Sequence, residues 1–110
     1  MEAITVTELK ALLDLAPGEI ALVDVRNPAE AEVASIKGSH LVPLASLESG
    51  EAIDRVRVLA EGRRLLVHCK LGGRSARAVE LLRQQGIAAT NVTGGIDAWS
   101  QQVDPGIPRY

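Results

Sequence analysis

Cys69 is the residue best placed to do chemistry, and it is the only cysteine in the chain. It directly follows an apolar run, residues 64–68, which has the length of a buried strand. The loop after it carries two glycines and an arginine before a helix begins. Ligands of open α/β sheets bind beyond the carboxyl ends of the strands. This position predicts that Cys69 is a catalytic nucleophile.

The loop after Cys69 has the composition of an anion-binding turn. Its two glycines allow successive backbone amides to point inward, and the helix that begins near Arg74 adds its positive N-terminal end. We expect the loop to stabilise the Cys69 thiolate and to lower the pKa of the thiol below its free value of about 8.5. Lys70, Arg74 and Arg77 add positive charge. The predicted substrate-binding residues are those of the loop: Lys70, Leu71, Gly72, Gly73, Arg74 and Ser75.

Two interpretations of the chain remain open beside this one: a non-catalytic binding module, and a cysteine-based phosphatase or arsenate reductase. A free cysteine at a strand end is often a small buried hydrophobe, which would make the chain a non-catalytic binding module. Cysteine-based phosphatases and arsenate reductases also use such loops. Tyrosine phosphatases have five residues between Cys and Arg, because a phosphate needs a wide cradle with an Arg gripping two oxygens. Only four residues separate Cys69 from Arg74, which favours a smaller group such as one added sulfur atom.

Strands and helices alternate along the sequence. Two capping-box patterns, Thr5-x-x-Glu8 and Asn27-Pro28-x-Glu30, each mark a helix start. We predict helices at about 5–14, from 28, in two pieces across 45–60, at 75–85 and after Gly95, with strands at 20–25, 40–42, 64–68 and 88–92. This order implies an α/β fold with a mainly parallel sheet and helices on both faces. His68 precedes Cys69 and faces the other side of the sheet, so we expect a structural role for it.

Composition excludes several classes of function. The chain has 110 residues, 46% hydrophobic and 24% charged, with a net charge of −2, so we expect one domain over residues 1–110. Two aromatic residues and no basic excess argue against nucleic-acid binding. One cysteine excludes an internal disulfide or a cysteine-rich zinc site, and neither a metal nor a cofactor is implied. No apolar stretch is long enough to span a membrane, and no signal peptide is visible, so we expect a cytoplasmic protein.

Five motifs together resemble the rhodanese (sulfurtransferase) family. They are Leu22-Val23-Asp24-Val25-Arg26, then Glu30, then Ile36-x-Gly38 with Val42-Pro43, then His68-Cys69-x-x-Gly72-x-Arg74-Ser75, and then Gly94-Gly95-Ile96-x-Ala98-Trp99. The resemblance implies a five-stranded parallel sheet and a persulfide carried on Cys69. It further implies that Asp24 and Arg26 support the site, and that Gly94, Gly95 and Trp99 serve turns and packing. We assign no catalytic role to residues 35–38.

The ending, residues 102–110, is similar to the rhodanese domain of adenylyltransferase-sulfurtransferases, which activate ubiquitin-like sulfur carriers. This resemblance implies a small anionic sulfur donor, thiosulfate, or the persulfide of a cysteine desulfurase. It also implies a sulfur carrier and an adenylating domain as partners. No ATP-binding P-loop pattern occurs in the chain.

Overall fold

Helices and strands alternate in the computed structural model, which describes residues 2–110. The strands are β1 (Ala3–Ile4), β2 (Ile20–Asp24), β3 (His40–Leu41), β4 (Arg64–His68) and β5 (Thr90–Val92). The helices are α1 (Val6–Leu15), α2 (Pro28–Val33), α3 (Leu44–Glu48), α4 (Ile53–Leu59), α5 (Gly73–Gln84) and α6 (Gly95–Gln102), with a 3-10 turn at Pro17–Glu19. Within residues 2–110, no helix is both long and apolar enough to cross a lipid bilayer.

The five strands form one parallel sheet in the order β1-β5-β4-β2-β3. β4 lies at the centre, and its last residue, His68, is in register with Asp24 at the end of β2. Cys69 therefore leaves the sheet at its carboxyl edge, beside the segment that follows β2. The predicted α/β fold with a five-stranded parallel sheet is confirmed.

Local signals in the sequence set most of the element boundaries. In the first capping box, the Thr5 hydroxyl accepts a hydrogen bond from the Glu8 amide at 3.1 Å. The Glu8 carboxylate accepts one from the Thr5 amide at 3.0 Å. In the second, Asn27 and Glu30 make the same reciprocal contacts at the start of α2. β4 has its predicted bounds. β5 is shorter than the predicted strand, because residues 88–89 precede the ladder, and the two-residue β1 was not predicted.

The sheet separates two apolar layers. Odd-numbered residues of β2 and β4, such as Val23 and Val67, pack against α3, α4 and α5, and Cys69 belongs to that layer. Even-numbered residues, such as Leu22 and Leu66, pack against α1 and α6. This alternation is the period of two expected for strands buried on both faces. At the carboxyl edge of the sheet, α5 begins on the side of the first layer and α6 begins on the side of the second.

Candidate active site

The loop between β4 and α5 bends around the Cys69 sulfur. Gly72 has φ of 120°, a conformation that favours glycine, and its backbone amide donates to Cys69 Sγ at 3.1 Å. Gly73 differs from the prediction, because it is the first residue of α5 and its φ is not positive. Only one of the two loop glycines is therefore needed for the bend that brings an amide to the sulfur.

Cys69 combines burial with polar contacts to its sulfur. The residue is 1% exposed, and Ser75 Oγ lies 3.4 Å from Sγ on the first turn of α5. Burial alone would raise the pKa of this thiol. Hydrogen bonds from the hydroxyl and amide of Ser75 and from the amides of Gly72 and Leu71 outweigh burial and lower the pKa. The loop thus favours a thiolate, as expected of a nucleophile.

Ser75 is held in place by a neighbour on β5. Its hydroxyl lies 2.5 Å from Asn91 Oδ1 and 3.1 Å from the Gly72 carbonyl, and Asn91 Nδ2 donates to the same carbonyl at 3.3 Å. Ser75 is fully buried and Asn91 is nearly so. Asn91 therefore fixes both the hydroxyl beside the sulfur and the glycine that bends the loop.

The carbonyl side of the loop is held by α6. The amides of Ile96 and Asp97 donate to the carbonyls of Cys69 and Lys70 at 2.9 and 3.1 Å. Gly95 lies against the same two carbonyls, and a Cβ atom at that position would overlap both oxygens. The second glycine of the Gly94-Gly95 pair is thus a close-approach residue of the site, a role beyond the turn and packing that we expected.

Arg74 is engaged by a carboxylate on α2. Its Nη1 and Nη2 donate to the two oxygens of Glu30, at 2.5 and 2.9 Å. The Arg74 guanidinium holds the pKa of Glu30 at about 2. Tyr110 adds a hydrogen bond from its hydroxyl to Glu30 at 2.7 Å. These contacts connect α5, α2 and the segment after α6 at the mouth of the loop.

Asp24 and Arg26 form a buried ion pair at the carboxyl end of β2. Arg26 is fully buried, and its guanidinium donates to both Asp24 oxygens, at 2.7 Å from Nη2 and 2.9 Å from Nε. The remaining donors reach the Ala34 carbonyl at 2.7 Å and the Tyr110 hydroxyl at 2.8 Å. A charge buried this deeply needs such partners. The pair joins the end of β2 to Ala34, directly after α2, and to Tyr110 in the segment after α6.

His68 lies behind the site. It is fully buried, its Nδ1 is 3.4 Å from the Cys69 carbonyl, and its Nε2 has no hydrogen-bond partner among residues 2–110. Burial lowers the pKa of His68, against the attraction of Asp24, and the neutral ring is favoured. Its hydrogen-bond contact is with the backbone of Cys69 rather than with the sulfur.

The remaining predicted residues lie at the rim or outside it. Lys70 Nζ sits 4.4 Å from the centre of the Tyr110 ring, and Leu71 is 65% exposed. Arg77 lies 3.7 Å from Glu80 on the surface of α5. Within the described part of the chain, no cluster of three or more His, Cys, Asp or Glu side chains is arranged to hold a metal ion.

Sequence reasoning missed four residues as parts of the site: Glu30, Asn91, Gly95 and Tyr110. The sequence places Glu30 in a helix cap and Gly95 in a turn, and both in the motifs of the family resemblance, without indicating their contacts with the Cys69 loop. Their location offered a signal, because Glu30 follows β2, Gly95 follows β5, and both strands are adjacent to β4. Asn91 and Tyr110 carried no local signal, because their contacts depend on the assembled sheet.

Comparison with known proteins agrees with this geometry. The model of the Rhodanese-like domain family matches residues 5–102. An uncharacterised 16.5 kDa protein from the psaL 5′ region of Synechococcus elongatus is 44% identical, over 96% of this chain and 73% of its own. The maize adenylyltransferase and sulfurtransferase MOCS3-2 is 42% identical over 97% of this chain, which spans only 23% of the maize protein. The structure of the human single-domain sulfurtransferase TSTD1 aligns with a TM-score of 0.74 at 28% identity, covering 93% of this chain and 97% of its own.

Proposed function

The chain belongs to the family of rhodanese-like domains, and from that membership we propose that it is a sulfurtransferase whose Cys69 carries sulfane sulfur as a persulfide. The observation that carries the proposal is the environment of Cys69 Sγ. The sulfur accepts the Gly72 amide at 3.1 Å and lies 3.4 Å from Ser75 Oγ, inside a loop whose amides stabilise a negative charge.

Sulfur transfer takes place in two displacement steps. In the first, the Cys69 thiolate attacks the outer sulfur of thiosulfate, the sulfur–sulfur bond of thiosulfate breaks, and sulfite leaves with the electron pair. The product on the protein is Cys-S-S⁻. In the second, a nucleophile such as cyanide attacks the terminal sulfur, and the electrons of the broken bond return to Cys69 as a thiolate. Neither step needs an oxidant or a metal.

The engagement of Arg74 by Glu30 supports sulfur transfer over phosphate hydrolysis. A phosphatase needs a guanidinium that is free to grip two phosphate oxygens. Here Nη1 and Nη2 of Arg74 both donate to Glu30, so we propose that Arg74 braces the loop and that the backbone amides of Lys70 to Arg74 bind the anion. Leu71 contributes through its amide, and Asp24 with Arg26 supports the loop from below.

The proposed partners are a sulfur donor, a sulfur acceptor and a resolving thiol. We propose thiosulfate or the persulfide of a cysteine desulfurase as the donor. The maize relative is named an adenylyltransferase and sulfurtransferase, which supports a ubiquitin-like sulfur carrier, activated by an adenylating domain, as the acceptor. If the Cys69 persulfide attacks the carbonyl of an acyl-adenylate, the acyl–phosphate bond breaks, AMP leaves with the electron pair, and the product is an acyl disulfide. A second thiol is needed to cleave this acyl disulfide. The chain has no second cysteine, so the resolving thiol comes from another chain or a small reductant.

We further propose that residues 1–110 form one domain that works in a reducing compartment, the cytoplasm. The family match covers residues 5–102, and Ile107, beyond that match, packs against the layer that contains Trp99. The free thiol of Cys69 has to stay reduced to accept sulfur.

The proposal is tested by steady-state assays on the purified chain. We expect sulfite and thiocyanate to appear in equal amounts from thiosulfate and cyanide, and Cys69→Ser to abolish both. Ser100→Ala, a buried serine change on α6, serves as a matched control and should keep the activity. Hydrolysis of an aryl phosphate that depends on Cys69, with no sulfite release from thiosulfate and no sulfur uptake from a cysteine desulfurase, would replace sulfur transfer with phosphatase chemistry.

A further inference from the structure

Charged groups around the Cys69 loop cancel in pairs, with one exception. The paired side chains are Asp24 with Arg26, Glu30 with Arg74, and Asp97 with Arg109. Lys70 has no carboxylate within ion-pair distance among residues 2–110. The net charge that an incoming ligand meets at this rim is therefore the ammonium of Lys70.

The Lys70 ammonium is held by an aromatic ring instead of a carboxylate. Its Nζ lies 4.4 Å from the centre of the Tyr110 ring, within the range of a cation–π contact. The ring itself is fixed, because its hydroxyl accepts from Arg26 Nη1 at 2.8 Å and donates to Glu30 at 2.7 Å. Tyr110 is thus fastened to the bracing ion pairs at one end and carries Lys70 on its face.

We propose that Tyr110 is a positioning residue that holds the Lys70 ammonium at the mouth of the Cys69 site and thereby selects anionic donors over neutral ones. The inference rests on the proposed function and assigns donor selection to a residue outside the loop. A carboxylate in the place of Tyr110 would also order Lys70, but it would cancel the charge. An aromatic face orders the cation and leaves its charge available to an incoming anion.

The gain comes from restricting a flexible side chain. A free lysine loses much of its rotamer freedom when it contacts a ligand, which weakens the contact. With Nζ already resting on Tyr110, that loss is made before the donor arrives. A contact of this type at a partly exposed site changes binding by about two- to fivefold. The effect should fall on anionic reagents and spare neutral reagents of similar size.

Alkylation of Cys69 provides a direct test that does not depend on sulfur transfer. Iodoacetate is anionic and iodoacetamide is neutral, so the ratio of their rates reports charge selection and is insensitive to changes in the thiolate fraction. We expect Tyr110→Leu to lower the iodoacetate-to-iodoacetamide ratio by about two- to fivefold. Tyr110→Phe, which keeps the ring that contacts Lys70 but loses the two hydrogen bonds of the hydroxyl, should lower the ratio less than Tyr110→Leu does.

Variants of Lys70 examine the same contact from its other side. Lys70→Gln should lower the ratio at least as much as Tyr110→Leu, and the double variant should lower it no further than Lys70→Gln does. Lys10→Gln makes the same charge change on α1, and it should leave the ratio unchanged. The proposal is overturned if Tyr110→Leu keeps the wild-type ratio, or if the Phe and Leu variants lose it equally, which would indicate that the hydroxyl matters only as a structural tether.

Turnover separates this inference from the proposed function. With thiosulfate, Tyr110→Leu should raise KM by about two- to fivefold and leave kcat within twofold. Normal sulfur transfer with an unaltered KM and an unaltered alkylation ratio would overturn the role of Tyr110 alone. Absence of sulfur transfer in the parent protein would overturn the proposed function, while the alkylation ratio would still decide whether Tyr110 and Lys70 select anions.

Discussion

Ser75 and Cys69 face each other across the first turn of α5, with the Ser75 hydroxyl oxygen 3.4 Å from the Cys69 sulfur. Both residues are buried, and the Gly72 amide approaches the same sulfur at 3.1 Å. The hydroxyl is held by Asn91 on the neighbouring strand. The sulfur therefore lies among donors from the loop and from α5, which favour its negative charge, while Asn91 on β5 contacts Ser75 and not the sulfur.

Removing the Ser75 hydroxyl should weaken the thiolate. In Ser75→Ala, the burial that raises the pKa of Cys69 remains and one of the hydrogen bonds that lowers it is lost, so the pKa rises. We expect iodoacetamide alkylation at pH 7 to slow by about tenfold. The pH profile of that rate should move to higher pH, while Ser100→Ala leaves it in place. An unmoved profile would show that Ser75 does not act on the sulfur.

Glu30 should make the protein sensitive to acid. Hydrogen bonds from Arg74 hold the pKa of this carboxyl at about 2, below its ordinary 4.5. The unfolded chain takes up a proton at the higher value, so this contribution to stability is complete above pH 4.5 and lost as the pH falls through 2. We expect Glu30→Gln to be less stable at neutral pH and to lose less between pH 4.5 and 2. Urea unfolding at several pH values measures both.

Glu32→Gln is the matched control for this experiment, because Glu32 lies on the same helix and is exposed. It should unfold with the pH dependence of the parent protein. If Glu30→Gln and Glu32→Gln follow the same curve, the ion pair with Arg74 contributes nothing to the acid response.

His68 should add a second pH response nearer neutrality. Burial lowers the pKa of this ring in the folded state, so the unfolded chain binds a proton first. The contribution of His68 to the free energy of unfolding is fully present above about pH 6.5, the ordinary pKa of histidine. It declines as the pH falls below that value, until the folded ring also takes up a proton. His68→Gln should flatten the stability curve between pH 7 and 5. His40→Gln changes the other histidine, which is partly exposed on β3, and should preserve the slope.

Two glycines near the sulfur should respond to alanine in opposite ways. Gly95 has φ of 58°, and its added Cβ would overlap the Cys69 and Lys70 carbonyls, so Gly95→Ala should destabilise the fold by more than about 2 kcal/mol. Gly73 lies at the start of α5 with open space where a Cβ would point. Gly73→Ala should be neutral or stabilise by up to about 1 kcal/mol. Chemical denaturation of both variants compares them, and equal losses would contradict the close approach of Gly95.

Most of the fold could be predicted because its signals are local. The capping boxes at Thr5 and Asn27 involve residues three apart, and the apolar run of β4 has the same bounds in sequence and structure. β1 could not be predicted, because two residues carry no periodicity. Its identity as a strand depends on pairing with β5, and the amide of Thr93, directly after β5, donates to the Ile4 carbonyl at 2.8 Å.

The site divides in the same way. Cys69 and its loop form a continuous segment, and the glycines and the helix start in that segment predict an anion-binding site. The bracing contacts are distant in sequence: Arg74 pairs with Glu30 across 44 residues, and Tyr110 reaches Arg26 across 84. No residue pattern indicates such contacts, which exist only after the sheet brings the ends of β2 and β4 together.

The most direct measurement is the intact mass of the protein after incubation with thiosulfate, recorded before and after a reductant. A persulfide on Cys69 predicts a gain of one sulfur, about 32 Da, that the reductant removes. Cys69→Ser should gain nothing, and Ser100→Ala should gain the same mass as the parent. A protein that takes up no sulfur from thiosulfate or from a cysteine desulfurase, or a Cys69→Ser variant that takes it up equally, would contradict sulfur transfer through this residue.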